Sequence, residues 1–290
     1  MHHVLDVGVG LLLDGLAYGM ILFIISVGLS VTMGLMGFVN LAHGAFAMAG
    51  GYVTVRLMSS YGVPFLPALG AAFFVVGAAS IVFERLLYAR LYRASELEQV
   101  LFSIGLVFMA IAAFTYFYGP APQPIHVPEY LSGRVDLGFR TVPAYRVFMV
   151  VVGAALVAVL WFGFERTSLG AKVRAAVDNR HMAQSIGIHV DRLFTLTFAL
   201  GSGLAALGGG LAVNLLGLTP TFASQYLVFF LIVVAVGGLG SIRGAVVAAL
   251  ILGITDNAGK YLYPAGGAFF IYAATIALLL LKPSGLYGRD

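Results

Sequence analysis

The sequence predicts an all-α fold, a polytopic bundle of transmembrane helices that crosses a lipid bilayer about eight times. Three observations predict it. Hydrophobic residues fill 61% of the 290 positions and charged residues only 10%, against roughly 25% charged in soluble domains. The apolar residues fall in unbroken runs at 15–33, 65–83, 100–118, 144–164 and 193–218, each long enough for the ~20 residues a helix needs to span a hydrocarbon core. The runs are solid and do not alternate, which excludes a transmembrane β-barrel and leaves helices as the structure that satisfies its own backbone in lipid.

The spans read in order as 10–33, 38–58, 63–83, 99–118, 144–164, 193–217, 226–258 and 268–281. The second is irregular, and Gly34-Leu-Met-Gly37 just before it breaks an early helix. The seventh is broken near 237–244 by Gly238-Leu-Gly240, and counting both of its arms gives nine crossings. Paired glycine breaks in the two halves, each followed by a small-residue helix start, hint at an internal repeat of the kind found in transporters. The whole chain, 1–290, reads as one transmembrane domain.

Arginine and lysine in the short loops set the expected orientation. Eleven of the sixteen basic residues fall on one alternating set of loops: Arg85, Arg90 and Arg93; Arg166, Lys172, Arg174, Arg180 and Arg192; Arg243; and Lys282 and Arg289. The other set holds Arg56, Arg134, Arg140, Arg146 and Lys260. The first set is therefore expected in the cytoplasm, which puts the N-terminus on the periplasmic side and the C-terminus inside. That parity requires an odd number of crossings. The net charge of +4 comes mainly from these loops and reflects topology, with no nucleic-acid partner expected. The N-terminal stretch MHHVLDVGVG lacks the basic region and cleavage site of a signal peptide.

Two loops are long. The periplasmic loop 119–143 holds five of the ten prolines, which argues against helix there. The cytoplasmic loop 165–192 reads differently. Ser168 is a candidate N-cap, Gly187 a stop, and Leu169, Val173, Ala176 and Val177 share one face, with Lys172, Arg174 and Asp178 elsewhere. A short amphipathic helix is expected on the cytoplasmic side.

Polar residues at membrane depth are costly and face a cavity or a partner helix. Asn40 and His43 sit in the apolar stretch 34–53 beside glycines that free the backbone. Two readings stand side by side: a broken helix lining a substrate path, or a packing kink whose side chains bond to neighbouring backbone. Gly44, Ser202, Gly238 and Ser241 complete the candidate path. Asp14 and Asp256 are the carboxylates well inside apolar runs. Each is a cation-site candidate, but pairing is the expected reading, with Lys260 at the i,i+4 position from Asp256. The Gly15-x-x-x-Gly19 and Gly240-x-x-x-Gly244 pairs are expected to let helices pack closely.

Enzyme signatures are missing. The chain has no phosphate-binding loop, no His-Glu-x-x-His and no cysteine, so it holds no ATP by itself and no metal site is expected. The nearest approach to an intramembrane serine protease motif, around Ser202, lacks its first glycine.

Three stretches, GLMGFVNLAHGAFAMAGGYV (34–53), RTSLGAKVRAAVDNRHMAQSIGIHVDRLFTLTFALGSGLAALGGGL (166–211) and VGGLGSIRGAVVAALILG (236–253), together resemble the permease subunits of bacterial ABC importers for branched-chain amino acids, the shorter of two paralogous permeases. The resemblance covers nearly the whole chain. It implies a permease in the bacterial inner membrane, paired with a second permease, two cytosolic ATPase subunits that carry the ATP and Mg, and a periplasmic substrate-binding protein. It further implies that segment 168–187 docks on the ATPase, with Gly170, Arg174, Ala175, Ala176, Asp178, Ala183 and Gly187 forming or shaping the surface, although Arg174 stands where the general ABC permease signature has Glu. Alternating access is the implied mechanism. The broader family includes permeases for urea and short amides, and an ion-coupled secondary transporter is the alternative of a different class.

Overall fold

The computed structural model describes residues 2–92, 94–123, 127–136, 138 and 141–288. Arg93, His126, Arg140 and Arg289, and the side chain of Val177, lie outside the described residues. The helices in chain order are α1 (His2–Met36), α2 (His43–Tyr61), α3 (Phe65–Leu86), α4 (Glu96–Tyr118), α5 (Glu129–Ser132), α6 (Ala144–Arg166), α7 (Ser168–Asp178), α8 (Arg180–Ser185), α9 (Val190–Leu216), α10 (Phe222–Gly237), α11 (Ile242–Leu262) and α12 (Phe269–Leu281). The all-α expectation holds, with one small addition. The proline-rich loop contains the single-turn α5, which starts directly after Pro128, and a ribbon of β1 (Arg134–Asp136) against β2 (Thr141–Pro143), with Val135 opposite Val142. Proline suits the entry to a helix, where its missing N–H is not needed.

Most boundaries lie within a few residues of the expected ones, and the departures have local causes. α1 runs beyond 10–33 at both ends, because nothing before Gly37 stops it; Gly37 does so with a φ of +60°. α4 starts at Glu96 and not 99, because Ser95 and Glu98 form a reciprocal capping box (Glu98 N to Ser95 Oγ, 3.4 Å; Ser95 N to Glu98 Oε2, 2.7 Å). The broken span 226–258 is two helices, α10 and α11, parted at 238–241.

Six helices are long and apolar enough to cross a membrane by themselves, α1, α3, α4, α6, α9 and α11; α10 and α12 are apolar but shorter. α2 has 19 residues and carries Gly50-Gly51, Thr54 and Arg56, which lower its apolarity. Together these are nine helices of 13 residues or more among the described residues.

Burial sorts them into layers. The apolar windows of α1 and α9 are 78% and 83% buried, those of α4 and α6 only 11%. α9 is the axis, packed on α1, α2 and α3, and α1 also packs along α11. The rim helices present Phe108, Phe117, Val159 and Phe162 outward, a face that suits lipid and no aqueous surface. In lipid, close packing must hold helices together, and small residues permit it. A Cβ on Gly28 of α1 would lie 2.4 Å from the Gly201 carbonyl oxygen of α9, and one on Gly209 would lie 1.8 Å from that of Ala47 in α2. Gly15 and Gly19 seat α1 against Ile254 and Ala249 of α11 in the same way.

Candidate docking surface and substrate path

Five chain segments gather at one end of the bundle: the C-terminal end of α1, the turn 87–95, the segment 165–192, the α10–α11 break and the tail 282–288. Several contacts bring them together. Gly240 N donates to Ser30 O (3.0 Å), Leu286 N to Val236 O (2.7 Å), and Tyr92 packs edge-on to Phe194. The two glycine breaks meet here: a Cβ on Gly34 would lie 2.4 Å from the Gly240 Cα.

The expected single helix over 168–187 is two, α7 and α8. Asn179 ends one and caps the other, its Oδ1 accepting from Met182 N at 2.9 Å. The N-cap of α7 is Thr167 and not Ser168; its hydroxyl accepts from Gly170 N at 3.3 Å. Gly170 and Arg174 both meet the end of α6. Gly170 has room only for hydrogen against the Phe164 carbonyl, and the Arg174 guanidinium donates to that same oxygen. These two residues set the angle at which α7 leaves the membrane helix. Val173, Ala176 and Ala183 turn inward onto Val190, Leu193 and Phe194, so the apolar face expected from the sequence is the anchored one. Ala175 is half-buried, Asp178 is exposed, and Gly187 ends the segment with a φ of +87°. Arg180 pairs with Asp191 at 3.1 Å and lies 4.8 Å over the Phe194 ring. The outward side carries Lys172, His181, Met182 and Ile186, with Met182 61% and Ile186 69% exposed.

Sequence reasoning missed a polar knot that fixes the turn 37–42. Asn40 Oδ1 accepts from Ala42 N (3.1 Å) and from the Tyr88 hydroxyl (3.0 Å), while Gln99 accepts from Val39 N at 3.2 Å. Buried Glu84 accepts from the hydroxyls of Tyr92 and Thr195, the latter at 2.9 Å. Burial and the neighbouring Glu84 carboxylate push the Tyr92 phenol up. Tyr88→Phe deletes one net hydrogen bond and is expected to cost about 1 kcal/mol. Asn40→Ala leaves the Tyr88 hydroxyl orphaned and costs more, about 1–3 kcal/mol. Thermal unfolding in detergent checks the order.

His43 returns deep into the bundle. Its Nε2–H donates to Ile25 O at 2.9 Å, well short of the Met36 end of α1; a carbonyl partner fixes this nitrogen as the donor. Gly44 abuts Ala223 of α10, and Ser202 is buried on α9. Asn40 Oδ1 and His43 Nε2 make backbone bonds of the kind the packing reading expects, while Asn40 Nδ2 is buried without a partner. Gly238 closes α10 with a φ of +94° against the tail at Gly288. Ser241 caps α11 through Gly244 N at 3.0 Å, and of the six path candidates it alone lines one of the cavities named here. That cavity, of about 250 Å³, runs from Val31 of α1 to Arg174 of α7, with Trp161, Arg243 and Tyr287 on its wall. The structure therefore brings Ser241 and Arg174 to one space and leaves Asn40, His43 and Ser202 outside it. At the opposite end Asp14 pairs with Arg146, and Asp256 pairs with Lys260 at 2.5 Å. Among the described residues no group of three His, Asp or Glu side chains converges as a metal site would require.

A family model described as "Branched-chain amino acid transport system / permease component" matches residues 11–280. The chain belongs to this family. The permease is 28% identical to LivH of Escherichia coli, a high-affinity branched-chain amino acid transport system permease protein, covering 95% of this chain and 94% of that one. It is 26% identical to BraD of Pseudomonas aeruginosa, a permease protein of the same description, over 96% and 95% of the two chains. It is also 26% identical to a probable branched-chain amino acid transport permease, LivH of Methanocaldococcus jannaschii, over 98% and 94%. The permease is thus a multi-pass membrane protein of transport.

Proposed function

We propose that this permease is the membrane subunit of an ATP-driven ABC importer that carries branched-chain or other hydrophobic amino acids across the cytoplasmic membrane. Membership of the permease family over 270 residues carries this reading. The α7–α8 segment gives it a mechanical basis. Its anchored face grips α9, its Arg174 grips α6, and its outward side presents Met182 and Ile186 where a cytosolic partner can reach them. Two cytosolic ATPase subunits, holding ATP and Mg, dock there. A second permease, expected to be a paralogue, completes the pathway, and a periplasmic binding protein delivers substrate at the other end. The N-terminus then lies outside and the C-terminus inside, which nine crossings satisfy.

The shared cavity supports an alternating-access mechanism. Arg174 of α7 and Ser241 of the α10–α11 break line one space, and the break touches the end of α1 at Gly34. A displacement of α7 by the ATPases is passed to α1, α10 and α11 together. The ion-coupled alternative needs a carboxylate to bind its coupling cation, and each of the two candidates already has a basic partner, Asp14 with Arg146 and Asp256, through Oδ2, with Lys260.

The test is uptake by proteoliposomes that hold the complete transporter. Radiolabelled leucine is expected to enter only with internal ATP and external binding protein, whether or not an ion gradient is present. Uptake that follows the ion gradient and ignores ATP would overturn the reading, and preference for urea or a short amide would overturn the substrate.

A further inference from the structure

The two intramembrane carboxylates have a second property in common. Both line a single cavity of about 340 Å³ at the end of the bundle opposite α7, where the N-terminal part of α1, the start of α6 and the ends of α9 and α11 meet. Its size falls in the roughly 300–1,000 Å³ range of small-molecule sites. Asp14, Arg146, Asp256 and Lys260 all line it, two charges of each sign. Tyr18, Tyr226 and Phe229 supply the apolar part of the wall, and Lys260 sits 5.6 Å over the Tyr18 ring. The four charges have unequal surroundings. Arg146 and Lys260 are partly exposed at 35% and 53%, whereas the Asp256 side chain is 3% exposed. One of its oxygens, Oδ2, takes Lys260; the other, Oδ1, is buried and has no hydrogen-bond partner.

A buried carboxylate oxygen without a donor is costly. The ion pair is therefore incomplete at Oδ1, an unmet acceptor on a side chain that lines the cavity. From this geometry we infer that the cavity is a binding site for the zwitterion of an apolar α-amino acid, with the ammonium donating to Asp256 Oδ1 and the carboxylate taken by the partly exposed Arg146 and Lys260. The charge balance selects for that class. The site is neutral as built, so a zwitterion keeps it neutral, while a lone cation or anion leaves uncompensated charge in a low-dielectric place. The tyrosines and Phe229 give the side chain an apolar surface. This assignment rests on the amino-acid importer reading above and places the first intramembrane station for the ligand at the outer mouth.

The experiment uses proteoliposomes with the complete transporter and saturating binding protein, and compares wild type with Asp256→Asn and with the double variant Asp256→Ala/Lys260→Ala. The double variant removes both partners, so no buried charge is left unpaired. Co-purification of the partner subunits reads assembly. Both variants are expected to assemble, and each to lower leucine uptake by about tenfold or more, the scale of a lost charge-assisted hydrogen bond. Wild-type uptake in either assembled variant would overturn the site and leave the importer reading standing. Loss of assembly in the double variant would make the pair a structural tie of α11 and would also overturn the site. Wild-type vesicles that take up no amino acid under ATP would overturn both readings.

Discussion

Met182→Asp/Ile186→Asp is expected to abolish ATP-driven uptake, with a loss of at least about tenfold, while the permease still inserts and folds. The two side chains lie one helical turn apart in chain spacing, are 61% and 69% exposed, and sit on the outward side of a segment whose inner side is anchored. Large apolar side chains at the water-facing end, outside the lipid span, offer a docked partner apolar surface to bury. Buried anchors of this kind carry most of an interface's energy, about 2 kcal/mol or more each. Placing carboxylates there leaves charges desolvated in the docked state. The free fold loses little, because exposed substitutions change stability by about 0.5 kcal/mol at most. The measurement is ATPase co-purification together with uptake. Both are expected to fall while the amount of extractable permease is unchanged.

The second large effect is on folding. Gly209→Val is expected to remove the folded protein from the membrane fraction. A Cβ there would lie 1.8 Å from the backbone oxygen of Ala47. The obstacle is the backbone of α2 and cannot rotate away, so the α2–α9 seam has to open. Overpacking of even flexible cores costs about 1–3 kcal/mol, and a backbone clash on the central axis exceeds that. Gly105→Val is the matched control. It lies on the rim helix α4 with nothing within 4 Å of its added Cβ, and its yield and thermal unfolding are expected to stay near wild type.

What was legible in the sequence was local. Hydropathy places the long helices because each span must be apolar by itself, and glycine clusters mark the breaks because no other signal interrupts runs this apolar. The pairing of Asp256 with Lys260 is an i,i+4 relation on one helix and was readable as such. The amphipathic face at Leu169, Val173 and Ala176 was readable by spacing. Relations between distant segments were not readable. Asp14 meets Arg146 from 132 positions away, and Asn40 meets Tyr88 from 48. The return of His43 to the Ile25 carbonyl depends on a turn whose depth no periodicity encodes. The division of α7 from α8 at Asn179 was available as a capping signal, since Asn there accepts from Met182 N, but good helix propensity on both sides concealed it. The capping box at Ser95 and Glu98 was equally available and lay outside the hydropathy boundary.

The proposed docking role of the segment accounts for its shape. One face is committed to the bundle through Val173, Ala176 and Ala183, and Gly170 and Arg174 fix its root on α6. A lever must be attached stiffly at one end to transmit displacement, and the seven residues implicated by the family motif are mostly this attachment. The proposed contact falls on side chains the motif does not include.

In the proposed assembly the outward side of α8 sits against an ATPase subunit. The chain has no cysteine, so Met182→Cys introduces a single thiol, and a short thiol-to-amine crosslinker applied to the assembled transporter probes that contact. One crosslinked product that contains the permease and the ATPase subunit is expected, with a yield that changes between nucleotide-free and ATP-bound states. A thiol that reacts fully with a small maleimide yet gives no crosslink to the ATPase in any nucleotide state would contradict it.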